Sequence, residues 1–251
     1  MTIALPARAK LNLDLEVVKP REDGYHDIRT TIQAIELHDL VEITPANETS
    51  LTTSGLEVVN NEDNSVLTAH RAVEQAAGRK VPTRFHLHKR IPPGAGLGGG
   101  SSDAATTLRG LVTTYKLDLD LHAIAQTLGA DVPFFLEGGR ARAEGRGERL
   151  YMQHVEPAWF AIAWPRIELS TADVYRAWDE VHGESPNHLR RAAERVEPRL
   201  REFANRLGSD WQMTGSGSAF FVRCETEEEA GKFAAEADAW TAVTYAVGRW
   251  T

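Results

Sequence analysis

Cysteine is almost absent from this chain. The single one, Cys224, rules out an internal disulfide, and no Cys-x-x-Cys pair or Cys/His set offers a metal site. It closes the run Phe220–Cys224 and reads there as a small apolar strand residue. Long apolar runs are missing as well. The longest nearly apolar stretch, Pro157–Pro165, is far short of the ~20 residues that a spanning helix needs. The N-terminus meets Arg8 and Lys10 almost at once, without the apolar run and small-residue cleavage site of a secretory leader. These absences favour a reducing cytoplasm and argue against a membrane partner. A surplus of positive charge is also lacking. The formal net charge of −8 would repel nucleic acid overall. An anionic small molecule needs only a local positive site, and backbone N–H groups can supply part of it.

What remains is an ordinary composition for a soluble globular protein, 42% hydrophobic and 25% charged. The 251 residues suffice for one large domain or two modest lobes. Leu11, Leu13, Leu15 and Val17 alternate with polar residues, the pattern of a half-buried strand. A turn at Asp23-Gly24 follows, then two strands at Ile28–Glu36 and Leu40–Ile43. The spacing of Val66, Ala69, Val73 and Ala76 predicts a helix over Ser65–Gly78, and Arg84–Ile91 reads as a strand. Ala104, Leu108, Leu111 and Tyr115 share one helical face, and a further helix covers Leu121–Leu128. A glycine-punctuated hairpin follows. From Trp159 the pattern restarts: a strand to Trp164, a helix near Ala172–Trp178, and two helical runs, Leu189–Val196 and Leu200–Leu207, split by Pro198. A strand over Ala219–Cys224, a helix over Glu227–Ala237 and a strand near Ala242–Val247 close the chain. Strands and helices mix without a strict βαβ rhythm. The expectation is therefore α+β with two lobes, residues 1–155 and 156–251.

The most informative segment runs from Lys89 through Pro92-Pro93 to Ser101-Ser102-Asp103. Five glycines occupy the seven positions Gly94–Gly100. They let backbone approach a ligand with no Cβ in the way, and Ser101 and Ser102 open a helix whose first N–H groups are free. That combination suits phosphate. No lysine follows the glycines, so the loop is not of the Gly-x-x-x-x-Gly-Lys type. Gly94, Gly96 and Gly99 match Gly-x-Gly-x-x-Gly, but Lys116–Asp120 and another helix follow where a dinucleotide fold needs a second strand. A plain flexible linker is a poor fit between two prolines and a well-patterned helix.

Three motifs resemble those of the GHMP kinases (galactokinase, homoserine, mevalonate and phosphomevalonate kinases). They are Ala9-Lys10-Leu11-Asn12-Leu13, Pro92–Ser102 and Met213–Ala219. Arg21–His26, Leu128–Phe135 and Ser170–Tyr175 extend the resemblance over nearly the whole chain. Together they point to the branch whose acceptor is a cytidyl diphosphate sugar-alcohol of the non-mevalonate isoprenoid route. The resemblance implies a two-lobe fold with the active site between the lobes, and the cofactors ATP and Mg²⁺. Its nearest rivals are family members with smaller acceptors, such as mevalonate or homoserine. The stretch between Trp178 and Asn187 is short for the family. Monomer and homodimer both stay open.

The resemblance also carries roles onto residues. Lys10 and Asp131 become the catalytic pair, Asp131 taking the hydroxyl proton. From the residues alone, Asp131 could equally cap the helix at Val132-Pro133, and Lys10 could be a solvated strand lysine. ATP falls to Pro92, Pro93, Gly94, Ala95, Gly96, Leu97, Gly98, Gly99, Gly100, Ser101 and Ser102, with Asn64 at the adenine and Lys89 nearby. Ser102 is the candidate for Mg²⁺. The acceptor falls to Asn12, Tyr25, His26, Thr171, Tyr175, Gly215 and Ser216. Tyr25 and Tyr175 are expected to face each other across one ring's width, with His26 at the ring edge. The alternative is that both tyrosines are half-buried core residues. His86 and His88 share a strand face and, without a third ligand, read as merely polar.

Overall fold

The computed structural model describes residues 1–58 and 61–250. Strand β1 (Ile3–Pro20) turns through Gly24, which sits at φ +80°, into β2 (His26–Pro45). The two form a long antiparallel ribbon. Strand β2 is continuous where two strands were expected: no glycine or proline interrupts it, and Asp39 in its middle is fully buried with its carboxylate satisfied. Strands β3 (Ser50–Gly55), β4 (Thr83–Lys89), β5 (Arg140–Gly145) and β6 (Arg149–Gln153) complete a six-stranded sheet. Within it β4 pairs with residues 40–45 of β2, and β5 with residues 28–33.

Helices α1 (Ser65–Ala77), α2 (Gly99–Tyr115), α3 (Leu121–Leu128) and α4 (Val132–Glu137) pack on this sheet around Val66, Leu108, Leu111, Phe134 and Phe135. The predicted helices appear as expected, with two differences. Ala76 is exposed at the frayed end of α1. Helix α2 begins at Gly99, before the two serines, because Gly98 adopts φ +73° and ends the loop there.

The second sheet, ordered β10-β7-β9-β8, is built from β7 (Trp159–Trp164), β8 (Gln212–Met213), β9 (Phe220–Cys224) and β10 (Trp240–Tyr245). Helices α5 (Thr171–Val181), α6 (Arg190–Val196), α7 (Arg199–Leu207) and α8 (Glu227–Glu236) belong to this half. Ala9, Leu11, Ile91 and Leu97 from the first half join Phe160, Ile162, Ala219 and Phe221 from the second in a shared core. Strand β1 is therefore covered on both faces at its centre. Ala9, Lys10, Leu11 and Asn12 are all buried, against the half-buried expectation. The odd residues face the shared core, while Lys10 N–H donates to the Leu97 carbonyl of the glycine loop at 3.0 Å.

Candidate active site

A cleft of about 1010 Å³ opens between the two halves. The glycine loop forms one wall. Glycine is required there by both conformation and space: Gly94, Gly96 and Gly98 sit at φ +59°, +77° and +73°. A Cβ on Gly96 would stand 2.4 Å from the Thr214 carbonyl oxygen, and one on Gly98 2.7 Å from Phe135 Cζ. The loop is thus pressed between the Thr214–Gly217 turn and α4. Asn187, which no sequence pattern flagged, holds that turn by donating to the carbonyls of Met213 and Gly215 at 2.8 and 2.9 Å.

On the cleft floor, Lys10 Nζ donates to Asn12 Oδ1 at 2.5 Å and lies 3.8 Å from Asp131 Oδ2. Asn12 is itself fixed, its side-chain amide donating to Thr30 Oγ1 at 2.7 Å and its N–H to Thr214 Oγ1 at 2.8 Å. Burial pushes the Lys10 ammonium below its ordinary pKa, and the Asp131 carboxylate opposes that shift. Asp131 stands at the N-cap of α4 but makes no side-chain capping bond. Its carboxylate is 35% exposed and faces the cleft beside Lys10. The cap reading therefore does not hold.

The structure departs from expectation at Lys89. Its ammonium donates to Asp39 Oδ2 at 2.5 Å and Asp103 Oδ2 at 2.8 Å. All three groups are buried, so this charge is neutralised inside the protein and does not stand free to meet phosphate. Asp39 also accepts the N–H groups of Arg90 and Ile91 at 2.6 and 2.8 Å, tying β2 to the start of the loop. Burial pushes Asp103 up to about 8; Lys89 opposes the shift and Asp39 adds to it. Asn64, at the N-cap of α1, accepts the Val66 N–H at 3.0 Å and lines the cleft as expected of it.

Ser102 is corrected as a metal ligand. It is 1% exposed, and its Oγ has no hydrogen-bond partner among the described residues, whereas Ser101 lines the cleft. Among the described residues no group of three or more His, Cys, Asp or Glu could hold a metal ion.

The aromatic end also differs from expectation. His26 stacks directly on Tyr175, centroids 5.0 Å apart and planes 26° from parallel. Its edge meets Trp178 at 5.5 Å, and its Nε2 is 2.7 Å from Asp179 Oδ1. Tyr25 is 54% exposed beneath the Arg146 guanidinium, 4.8 Å from the ring centroid. Tyr25 ends the turn and His26 opens β2, and the ring opposite Tyr175 is that of His26. All three residues still line the cleft, along with Thr171, Gly215 and Ser216; the Thr171 and Ser216 hydroxyls are 2.9 Å apart. Arg146, at the tip of the β5–β6 hairpin, lines the same end and was not anticipated. His86 and His88 bond to Ser54, and His86 also to Thr52, as a polar strand face should.

Residues 64–139 match the GHMP kinases N terminal domain. A 4-diphosphocytidyl-2-C-methyl-D-erythritol kinase from Thermus thermophilus is 38% identical over 93% of this chain and 92% of its own length. The chain belongs to this family of GHMP kinases. Its counterpart from Deinococcus radiodurans is 44% identical over 76% of this chain and 65% of that relative. A crystal structure of 4-(cytidine 5'-diphospho)-2C-methyl-D-erythritol kinase superposes with a TM-score of 0.81 at 36% identity, covering 98% of this GHMP kinase and all of that chain. A homoserine kinase from Cytophaga hutchinsonii, with a TM-score of 0.65 at 16% identity, shares the fold. Among the described residues no helix of this kinase is long and apolar enough to cross a membrane.

Proposed function

We propose that this chain phosphorylates the 2-hydroxyl of 4-diphosphocytidyl-2-C-methyl-D-erythritol with ATP, in the non-mevalonate route to isoprenoid precursors. The observation that carries the assignment of roles is the Lys10–Asp131 pair, 3.8 Å apart, between the glycine loop and the His26–Tyr175 stack. Phosphoryl transfer asks a protein for positioning and charge stabilisation more than for covalent chemistry. In this reading Asp131 accepts the proton of the acceptor hydroxyl as its oxygen attacks the γ-phosphorus. The bond to the β–γ bridging oxygen breaks, and ADP leaves with that oxygen. Lys10 keeps Asp131 anionic and stabilises charge on the phosphoryl group in flight. Asn12 steadies Lys10 and offers its amide to the acceptor.

The backbone of residues 94–100 holds the ATP phosphates, with α2 directing its N-terminus at them. Asn64, which lines the cleft, would contact the adenine. Mg²⁺ bound with ATP would neutralise phosphate charge, and Ser101, which lines the cleft, would be a protein hydroxyl to hold it. Tyr25, His26, Tyr175 and Thr171 serve the cytidyl end. The lobes divide at residues 155 and 156, and the enzyme works in the cytoplasm.

The deciding experiment is a coupled ADP-release assay with a panel of acceptors. Turnover is expected with the cytidyl diphosphate polyol and not with mevalonate or homoserine. Preference for a small acceptor would overturn the reading.

A further inference from the structure

Past Ala246, whose N–H donates to the Ala158 carbonyl of the second half at 2.9 Å, the segment to Trp250 runs along the catalytic half. Val247 N–H donates to the Ala34 carbonyl at 3.0 Å, and Gln33 Nε2 donates to the Val247 carbonyl at 3.1 Å. Arg249 pairs with Glu137 and bridges to Gly138. The segment ends on α4: Trp250 N–H donates to the Glu137 carbonyl at 3.2 Å, and its indole Nε1–H to the Phe135 carbonyl at 2.9 Å. A Cβ on Gly138 would sit 3.3 Å from the indole, so the ring lies flush against the end of that helix.

The same indole carries two guanidinium groups, Arg8 at 4.4 Å and Arg109 at 3.9 Å from the ring centroid. The ring face attracts cations, and Arg8 is also paired with Glu36 at 3.3 Å, which offsets the two like charges. Arg109 Nε is buried with no hydrogen-bond partner among the described residues, and its Nη2 reaches only the Thr106 hydroxyl at 3.5 Å, so the indole face is a main contact of this guanidinium. Burial, with Arg8 nearby, lowers the Arg109 pKa to about 10.

What these contacts join is specific. Arg8 precedes Lys10 by two positions on β1. Arg109 lies on α2, whose N-terminus is the glycine loop. Phe135 and Glu137 belong to α4, which starts at Asp131, and Phe135 also packs against Gly98 of the loop. One side chain, on the side away from the cleft, thus touches the three elements that carry the lysine, the phosphate loop and the carboxylate.

We infer that Trp250 is a positioning residue that sets the spacing of Lys10, the glycine loop and Asp131 by clamping β1, α2 and α4 together. The inference rests on the catalytic reading of Lys10 and Asp131 above. Reacting groups must be held closely, and a displacement of about 1 Å can cost on the order of a hundredfold in rate. Trp250 itself is not among the residues lining the cleft, so its loss removes no direct ligand contact and is expected to act on turnover more than on binding.

The test uses the full chain with Trp250→Ala, Trp250→Phe and, in parallel, Asp131→Ala. Turnover is expressed per molecule competent to bind ATP, by titration with a non-hydrolysable analogue well below each variant's melting temperature. Trp250→Ala is expected to lower kcat about ten- to a hundredfold, with both KM values within about threefold. Trp250→Phe keeps a ring face for the arginines and loses the Nε1–H bond. Its kcat is expected about three- to tenfold down, and it carries the test alone if the alanine variant does not fold. Parent-like kcat per competent molecule in the Trp250 variants, with Asp131→Ala inactive, would overturn this inference and leave the catalytic reading standing. Parent-like turnover in Asp131→Ala would overturn both.

Discussion

Lys10 Nζ stands 3.8 Å from Asp131 Oδ2, although one residue lies on the first strand and the other at the start of the fourth helix. The lysine is nearly sealed from solvent, and the carboxylate is open to the cleft. Asp131→Ala is expected to lower kcat by about 10²–10⁴-fold, the range for a positioned proton acceptor. ATP affinity should stay within a few-fold, because the loop does not depend on that carboxylate. Steady-state kinetics with nucleotide-binding titration measure both; a variant with near-parent kcat would remove Asp131 from the chemistry.

The glycine loop allows a contrast between neighbours. Gly96 sits at φ +77° with the Thr214 carbonyl 2.4 Å from any Cβ, and neither backbone can yield cheaply. Gly96→Ala is expected to cost at least about 1–3 kcal/mol of stability from backbone strain, and to abolish ATP binding. Gly100 has only Ser65 side-chain atoms near, at 3.7 Å or more, and lies within α2. There alanine removes backbone freedom from the unfolded chain, and a melting temperature equal to or above the parent's is expected. Thermal melts of the two variants check the pair; equal losses would contradict the packing described here.

Much of this architecture was legible because its signals are local. Apolar spacing marked α1 and α2, Pro198 split α6 from α7, and the glycines announced a loop that lets backbone approach a ligand. What stayed hidden depends on tertiary placement. Nothing near Asp39 says that it meets Lys89, so the lysine read as a nucleotide contact. Tyr25 and His26 are adjacent where the turn meets β2, and only the folded chain shows which of them meets Tyr175. Trp250 looks like any aromatic until Arg8 and Arg109 are seen on its ring. The unbroken β2 was missed for a related reason: its polar centre is buried by partners from other elements.

The buried Lys89–Asp39–Asp103 cluster gives the fold a pH signature. The folded pKa of Asp103 is raised to about 8 from an unfolded value of 3.8. Between those values the native state binds more protons than the unfolded state, so this residue's contribution to stability falls as pH rises from about 4 to about 8. Asp103→Asn keeps an oxygen for Lys89 and removes the titration. The melting temperature of the variant relative to the parent is expected to rise by a few degrees between pH 5 and pH 8.5. A constant difference across that range would show that Asp103 is ionised throughout.

The aromatic end yields the last expectation. A base stacked between two rings needs roughly 7 Å between their planes, and His26 and Tyr175 stand only 5.0 Å apart by centroids. A cytosine therefore cannot enter between them without moving one, and His26 is anchored by Asp179 and Trp178. Tyr25 is the exposed ring of the group, with the Arg146 guanidinium over it. An incoming base would stack on Tyr25, with the His26–Tyr175 stack as the wall of the site. Loss of a stacking ring is worth about 1–3 kcal/mol, or roughly 5- to 150-fold in KM for the cytidyl substrate. Tyr25→Ala is expected to show that loss with the KM for ATP unchanged. Tyr175→Ala removes the support of His26 and is expected to raise the same KM, while Tyr175→Phe, which keeps the ring, should stay close to the parent. Asp179→Asn weakens the hold on the imidazole and should fall between. Equal losses for ATP and acceptor in Tyr25→Ala would place that ring outside the acceptor site and leave the cytidyl end to be sought along α5.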